Sequence, residues 1–214
     1  MVVPRERWFG YHTQKRIGQQ LLQVQLLARL PVERVLEVGP HLGLVTAMLD
    51  NAGYAVTTLD LGPRGFDRPP VPHIEMDLLA LAPQRLTGFD AILCCETMEH
   101  LPWARAGEVL TGFRASGARY LVLSVPYEGT QLYLQLYLNR FTARRMSQFR
   151  KLRRLRRFAP DADPLGHKWE IGYRGHALAD WEAVIAKAGW RVLEREFTAP
   201  CRSVFHLCEN PGSD

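Results

Sequence analysis

The chain has few cysteines and no sustained apolar run, and both shortages narrow what it can be. Cys94, Cys95, Cys201 and Cys208 fall at no metal-ligand spacing. Cys94 and Cys95 are neighbours on one expected strand, pointing to opposite faces, so they do not pair with each other. The four read as reduced core or pocket thiols of a cytoplasmic protein, not as a disulfide framework. No window approaches the roughly 20 apolar residues of a membrane span, and residues 1–8 hold no apolar stretch of signal-peptide length. Acid is missing from one long segment, with no Asp or Glu between Gly129 and Pro160. Also missing is Gly-x-Gly-x-x-Gly, the spacing that leaves bare backbone around a pyrophosphate.

What is present reads as one α/β domain. With 214 residues and 47% hydrophobic content the chain can bury a substantial core. The apolar run Arg34–Val38 reads as a buried parallel strand that breaks at Gly39. Helical spacing resumes over Leu44–Leu49 and closes at Gly53, and a second strand, Tyr54–Leu59, ends in Asp60. Strand, glycine turn, helix, strand and an acid about 20 residues on is the front of a nucleotide-binding unit, the acid placed for ribose hydroxyls. Glu37 stands two residues before Gly39 and His41 two after it. A carboxylate there repels phosphates but suits a ligand carrying an ammonium group. Further strands are expected at His73–Met76, Phe89–Cys95, Tyr120–Val125, Trp190–Phe197 and Ser203–Cys208, with a helix over Trp181–Ala188 and an N-terminal helix over about 5–30. Only twelve residues, four of them proline, separate Asp60 from His73, too few for a full crossover helix, so an irregular loop is expected.

The Glu-x-Gly-x-x-x-Gly pattern of Glu37, Gly39 and Gly43 resembles motif I of the class I S-adenosylmethionine (SAM) methyltransferases, with His41 where that family usually has glycine. The later strands follow the family's order over residues 30–126 and 176–209. The resemblance implies a Rossmann-like three-layer sandwich whose seven-stranded sheet is mostly parallel, with the last strand antiparallel. It implies a cofactor site of Glu37, Gly39, Pro40, His41, Gly43, Asp60, Leu61, Asp77, Leu78, Cys95 and Glu96. In that reading Glu37 serves the methionine ammonium, Asp60 the ribose, and Asp77 with Leu78 the adenine.

The charge of the chain is concentrated. Of 27 basic residues, nine lie between Arg140 and Arg157, and without them 18 basic residues face 22 acidic ones. They fall in a segment, about 127–175, where class I methyltransferases often carry a lid over the acceptor. Gln131–Leu138 alternates like a strand, although Leu134, Leu138 and Phe141 also fit a helical face. From Thr142 on, Met146, Phe149, Leu152 and Leu155 recur in three-residue steps between arginines, which predicts a basic amphipathic helix. Such a helix can pack on the domain and solvate its arginines, or meet an acidic substrate, a nucleic-acid backbone or an anionic membrane.

Gly166–Gly172, an island of His, Trp and Glu between glycines, suggests a shaped turn over a pocket. His167 and His100 are therefore candidate general bases, imidazole titrating near neutrality. Tyr127, Trp169 and Glu170 are candidate acceptor contacts. Glu96, Glu99 and His100, with the distant His167, resemble the divalent-metal site of small-RNA 2′-O-methyltransferases and ubiquinone-pathway O-methyltransferases. Metal-free relatives carry a similar acid-and-Glu-His sequence in which the pair caps and packs the following helix, and no metal is expected here. The reading is a SAM-dependent methyltransferase acting on an O or N atom of a small organic acceptor, with SAM as its cofactor. RNA methylation through the basic segment, or SAM binding without catalysis, are the alternatives. Oligomeric state is not legible.

Overall fold

The expected apolar runs become strands, and the burial of each follows its place in the sheet. The computed structural model describes residues 4–150, 156–200 and 202–213. One sheet is built from β1 (Arg34–Val38), β2 (Ala55–Asp60), β3 (His73–Glu75), β4 (Ala91–Cys95) and β5 (Tyr120–Pro126). After β6 (Gln131–Leu138) and β7 (Ala143–Arg150), which pair only with each other, it is completed by β8 (Arg191–Phe197) and β9 (Ser203–Glu209). The strand order is β3-β2-β1-β4-β5-β9-β8. Strands β1 to β5 run parallel, and β9 runs antiparallel to both its neighbours. Every residue of β4 and β5 is buried. Such strands, covered on both faces, must be apolar along their whole length, which is why they read as continuous hydrophobic runs.

Helices cover both faces. On one lie α2 (Gln14–Leu27) and α3 (Leu44–Asn51), whose Leu26, Leu27, Val45 and Leu49 pack against Val35, Leu93 and Val122. On the other, α4 (Trp103–Ala115) and α5 (Leu178–Lys187) bury Phe113, Trp181 and Ile185 against Leu36, Ile92 and Leu123. Trp190 closes this side, its indole N–H donating to the Leu110 carbonyl at 2.9 Å. Among the described residues no helix is long and apolar enough to cross a membrane. Cys94, Cys95 and Cys208 are buried free thiols, the Cys208 thiol pushed up to about 12 by burial. Cys201 lies outside the described residues.

Three expectations are corrected. The N-terminal helix is two helices, α1 (Arg5–Tyr11) and α2, broken where the Thr13 hydroxyl accepts the Arg16 amide to cap α2. Residues 143–150 are strand β7, not helix, because they find a hydrogen-bonding partner in β6; Lys151, Leu152, Arg153, Arg154 and Leu155 lie outside the described residues. Glu99 does not cap the helix that follows it, since α4 begins after Pro102 without a side-chain cap. The short connection between β2 and β3 contains no helix, as expected. Its Phe66 is buried against Gly43, and His73 Nε2–H donates to the Gly62 carbonyl at 2.9 Å, holding the loop to its own exit strand.

Candidate functional site

The carboxyl ends of β1, β2 and β4 open onto a cavity of about 520 Å³, roofed from the other side by α1 and α2. Its floor is the turn after β1. Gly39 has φ +72°, and a Cβ there would stand 2.5 Å from Thr97 Oγ1, so only glycine fits. The Thr97 hydroxyl is itself held between the carbonyls of Cys95, at 3.1 Å, and Val38, at 3.3 Å. Gly43, also left-handed, caps α3, and a Cβ on it would meet the Phe66 ring at 2.7 Å. It shapes the wall without facing the cavity.

Glu37 lines this cavity and is 4% exposed. Thr46 Oγ1 donates to its Oε2 at 2.6 Å, yet burial pushes its carboxyl up to about 7. Pro40, His41, Asp60, Leu61, Asp77, Leu78, Cys95 and Glu96 line the same cavity, so of the cofactor residues expected from sequence only Gly43 stands off it. The Leu61 amide donates to Asp60 Oδ1 at 2.8 Å, and the Leu79 amide to Asp77 Oδ1 at 2.9 Å, which fixes both carboxylates at strand exits.

His41 and Glu96 are the non-glycine residues with positive φ among those described, at 48° and 52°, and both line the cavity. Strained backbone of this kind concentrates at functional sites. The Tyr11 ring lies 4.3 Å from the His41 ring, centroid to centroid, so His41 docks α1 over the cavity. The Ser124 hydroxyl donates to Glu96 Oε1 at 2.8 Å. Burial raises the Glu96 carboxyl.

Sequence reading missed the α2 wall, Arg16, Gln19, Gln20 and Gln23, as well as Thr97, Leu165 and Arg202. Gln19 and Gln23 are buried while Ile17 and Leu21 of the same helix are exposed. Polar residues on a helix's buried stripe were the available signal.

His100 and His167 meet at one end of the cavity, their rings 5.0 Å apart. His167 Nδ1–H donates to Glu170 Oε1 at 2.9 Å, which turns Nε2 toward Glu99 Oε1, 4.0 Å away. Burial and the neighbouring His167 lower the His100 pKa, favouring a neutral imidazole. Ligand atoms of Glu99, His100 and His167 lie within 4.8 Å of one another. The Glu99 side chain is fully buried, and neither carboxylate oxygen has a hydrogen-bond partner. Burial raises its pKa well above the usual range.

The acceptor candidates stand off this cavity. Trp169 is fully buried and donates its indole N–H to the Leu101 carbonyl at 2.9 Å, a core residue off the cavity wall. Tyr127 packs edge-on against Phe197, and Glu170 orients His167; neither lines the cavity. Of the described residues in 127–175, only Leu165 and His167 line the cavity, and Tyr11 of α1 with Arg16, Gln19, Gln20 and Gln23 of α2 line its other side.

No protein-family model and no curated protein matches the sequence. Solved structures do match. N-methyltransferase NodS of Bradyrhizobium japonicum WM9, in complex with S-adenosyl-L-homocysteine (SAH), superposes with a TM-score of 0.64 at 14% identity, covering 98% of this chain and 94% of its own. The chain has the class I methyltransferase fold. A Burkholderia thailandensis 1,6-didemethyltoxoflavin-N1-methyltransferase, with its namesake ligand and SAH bound, gives 0.59 at 16% identity over 96% of this chain and 81% of its own. The methyltransferase domain of bacterial CtHen1 gives 0.61 at 14% identity over 92% and 98%. In this fold the cavity lies at the carboxyl edge of the parallel strands, the place where open α/β sheets bind ligands.

Proposed function

We propose that the chain is a SAM-dependent methyltransferase acting on an O or N atom of a small organic acceptor. One observation carries the reading: Glu37, Asp60 and Asp77, at the exits of β1, β2 and β3, line a single cavity with the Gly39 turn between them. Their order on adjacent strands suits an ammonium, a ribose and an adenine edge in turn. Two of the solved structures with this fold hold SAH, which has those three parts. Bound SAM supplies an electrophilic methyl, so the protein's task is in-line positioning and, for a hydroxyl or ammonium acceptor, removal of a proton.

His167 is suited to that removal. Glu170 fixes its Nδ1 proton and stabilises the imidazolium formed when Nε2 takes one up. Calorimetry with SAH, methylthioadenosine and NAD tests the cofactor: SAH binding with no NAD binding supports the reading, and the reverse ends it. Transfer of labelled methyl to small hydroxyl and amine compounds then tests the acceptor class.

The unpartnered carboxylate of Glu99 favours a second reading of the same end of the cavity. A buried acid without hydrogen bonds is costly. Glu99, His100 and His167 form a mixed carboxylate and imidazole set that fits a first-row divalent cation. Glu170 would then be the outer carboxylate that orients a ligating histidine. A cation here would polarise an acceptor hydroxyl. Turnover lost to EDTA and restored by manganese selects this reading over the histidine base.

A further inference from the structure

We propose that the β6–β7 hairpin docks the protein on an anionic lipid bilayer. The ribbon stands apart from the main sheet, its strands paired only with each other. On β6, Leu132, Leu134, Leu136 and Leu138 alternate onto one face, 63–79% exposed. Phe141, at the tip, is 88% exposed. Among the described residues nothing covers this apolar row, and a contiguous row of this kind marks a surface that meets something other than water.

The ribbon is rigid enough for its side chains to act together. Asn139 Oδ1 accepts the amides of Phe141 and Thr142 at 2.9 and 2.8 Å, and its Nδ2–H donates to the Tyr137 hydroxyl at 2.7 Å. The leucines and Phe141 are therefore presented without a loop having to be ordered first.

Charge selects the occupant. Arg140, Arg144 and Arg145 are exposed around the tip. Arg145 pairs across the ribbon with Leu136 and so shares the leucine face. No acid occurs between Gly129 and Pro160. A second copy of this ribbon would be repelled. Nucleic acid would satisfy the arginines but leave the leucines wet. An anionic bilayer meets both: leucines and Phe141 enter the acyl boundary while long arginine side chains reach back to phosphates. Lying flat at the interface, the ribbon keeps its outer backbone edges in the hydrated headgroup layer, which answers the cost of an open sheet edge in lipid. The hairpin leaves the main sheet just beyond the carboxyl end of β5, the edge that carries the cavity.

Co-sedimentation with vesicles tests the proposal. Wild-type protein should pellet with phosphatidylcholine vesicles containing phosphatidylglycerol and stay in solution with phosphatidylcholine alone. The triple variant Arg140→Gln, Arg144→Gln, Arg145→Gln should lower the partition coefficient roughly 100-fold, about a kcal/mol per arginine. The variant Leu134→Ser, Leu136→Ser, Leu138→Ser, Phe141→Ser should lower it about tenfold or more. Both should keep the wild-type melting temperature, since every substituted side chain is exposed. The substitution Phe141→Trp should add a blue-shifted emission in the presence of anionic vesicles. Several results would overturn the proposal: failure of wild-type protein to pellet, pelleting that needs the arginines but not the leucines, or an indole at the hairpin tip whose emission stays that of water. So would tight, salt-sensitive RNA binding lost in the arginine variant, or a dimer in lipid-free buffer that the serine variant dissociates.

Discussion

Protonation of Glu37 should be coupled to ligand binding, and the coupling can be read in three experiments. The free carboxyl titrates at about 7 against 4.5 for an ordinary glutamate because the fold removes it from water. A folded pKa above the unfolded one contributes stability that is complete below pH 4.5 and is lost as pH rises through 7. The shift corresponds to about 3 kcal/mol of cost for holding the ionised form. Glu37→Gln keeps an acceptor for the Thr46 hydroxyl and removes the charge. The variant should melt roughly 8 °C above wild type at pH 8 and no higher at pH 4.5. An ammonium-bearing ligand supplies the missing counter-charge, so SAH should pull the Glu37 pKa down on binding. Its affinity for wild-type protein should then weaken by up to about tenfold per pH unit below 7. Calorimetry in buffers of different ionisation enthalpy should show about one proton released per SAH near pH 6. Glu96, Glu99, His41 and His100 also titrate in this cavity. Glu37→Gln assigns the proton by abolishing its release, and methylthioadenosine, without the amino-acid tail, should release none from either protein. SAH affinity flat between pH 5.5 and 7.5, or a variant less stable than wild type at pH 8, would refute the reasoning.

Asp60→Ala should stay folded and lose SAH affinity by about 100-fold or more, given roughly 1.5–3 kcal/mol for each of two hydrogen bonds to a charged group; equal affinities measured by calorimetry would remove Asp60 from the ribose site. Gly39→Ala should cost about 1–2 kcal/mol in denaturant unfolding from its positive φ alone, with Thr97→Ala restoring only the part that comes from the 2.5 Å approach. Turnover of a hydroxyl acceptor should survive EDTA, because Glu170 and His167 already form a base, and should fall in Glu170→Gln; full loss to EDTA with rescue by manganese would hand the role to a cation. Tyr11→Ala should weaken SAH binding severalfold with little change in melting temperature, since Tyr11 holds α1 over the cavity through His41 and not through the core.

The parts of the fold that sequence disclosed are those in which one residue's burial dictates its chemistry. Val35, Leu36 and Val38 must be apolar because helices cover both faces of β1, and the run ends where Gly39 must turn. Asp60 and Glu37 were legible as acids at strand exits, where nothing in the core calls for a charge. The α2 wall was hidden by the same logic in reverse. Gln19 and Gln23 are buried on the stripe where a core helix carries leucine, and a reading of hydrophobic periodicity discards them. Trp169 is the opposite case: in a glycine-bounded island two residues from His167 it suggests a pocket residue, but its indole N–H has a carbonyl partner inside the core.

The basic segment shows why periodicity alone can select the wrong element. Met146, Phe149, Leu152 and Leu155 repeat at a helical step, but a strand is stabilised by its partner as well as by its own pattern. The alternation of leucine on β6 and the Asn139 turn were the stronger signals, and together they fix residues 143–150 as the return strand. Once the ribbon forms, its leucines face outward, away from the cavity that α1 and α2 already roof. A lid would bury that apolar row against the ligand or the domain. Its exposure supports the proposed division of tasks along the chain: the N-terminal helices line the cavity, and the basic ribbon presents its leucines to a surface outside it.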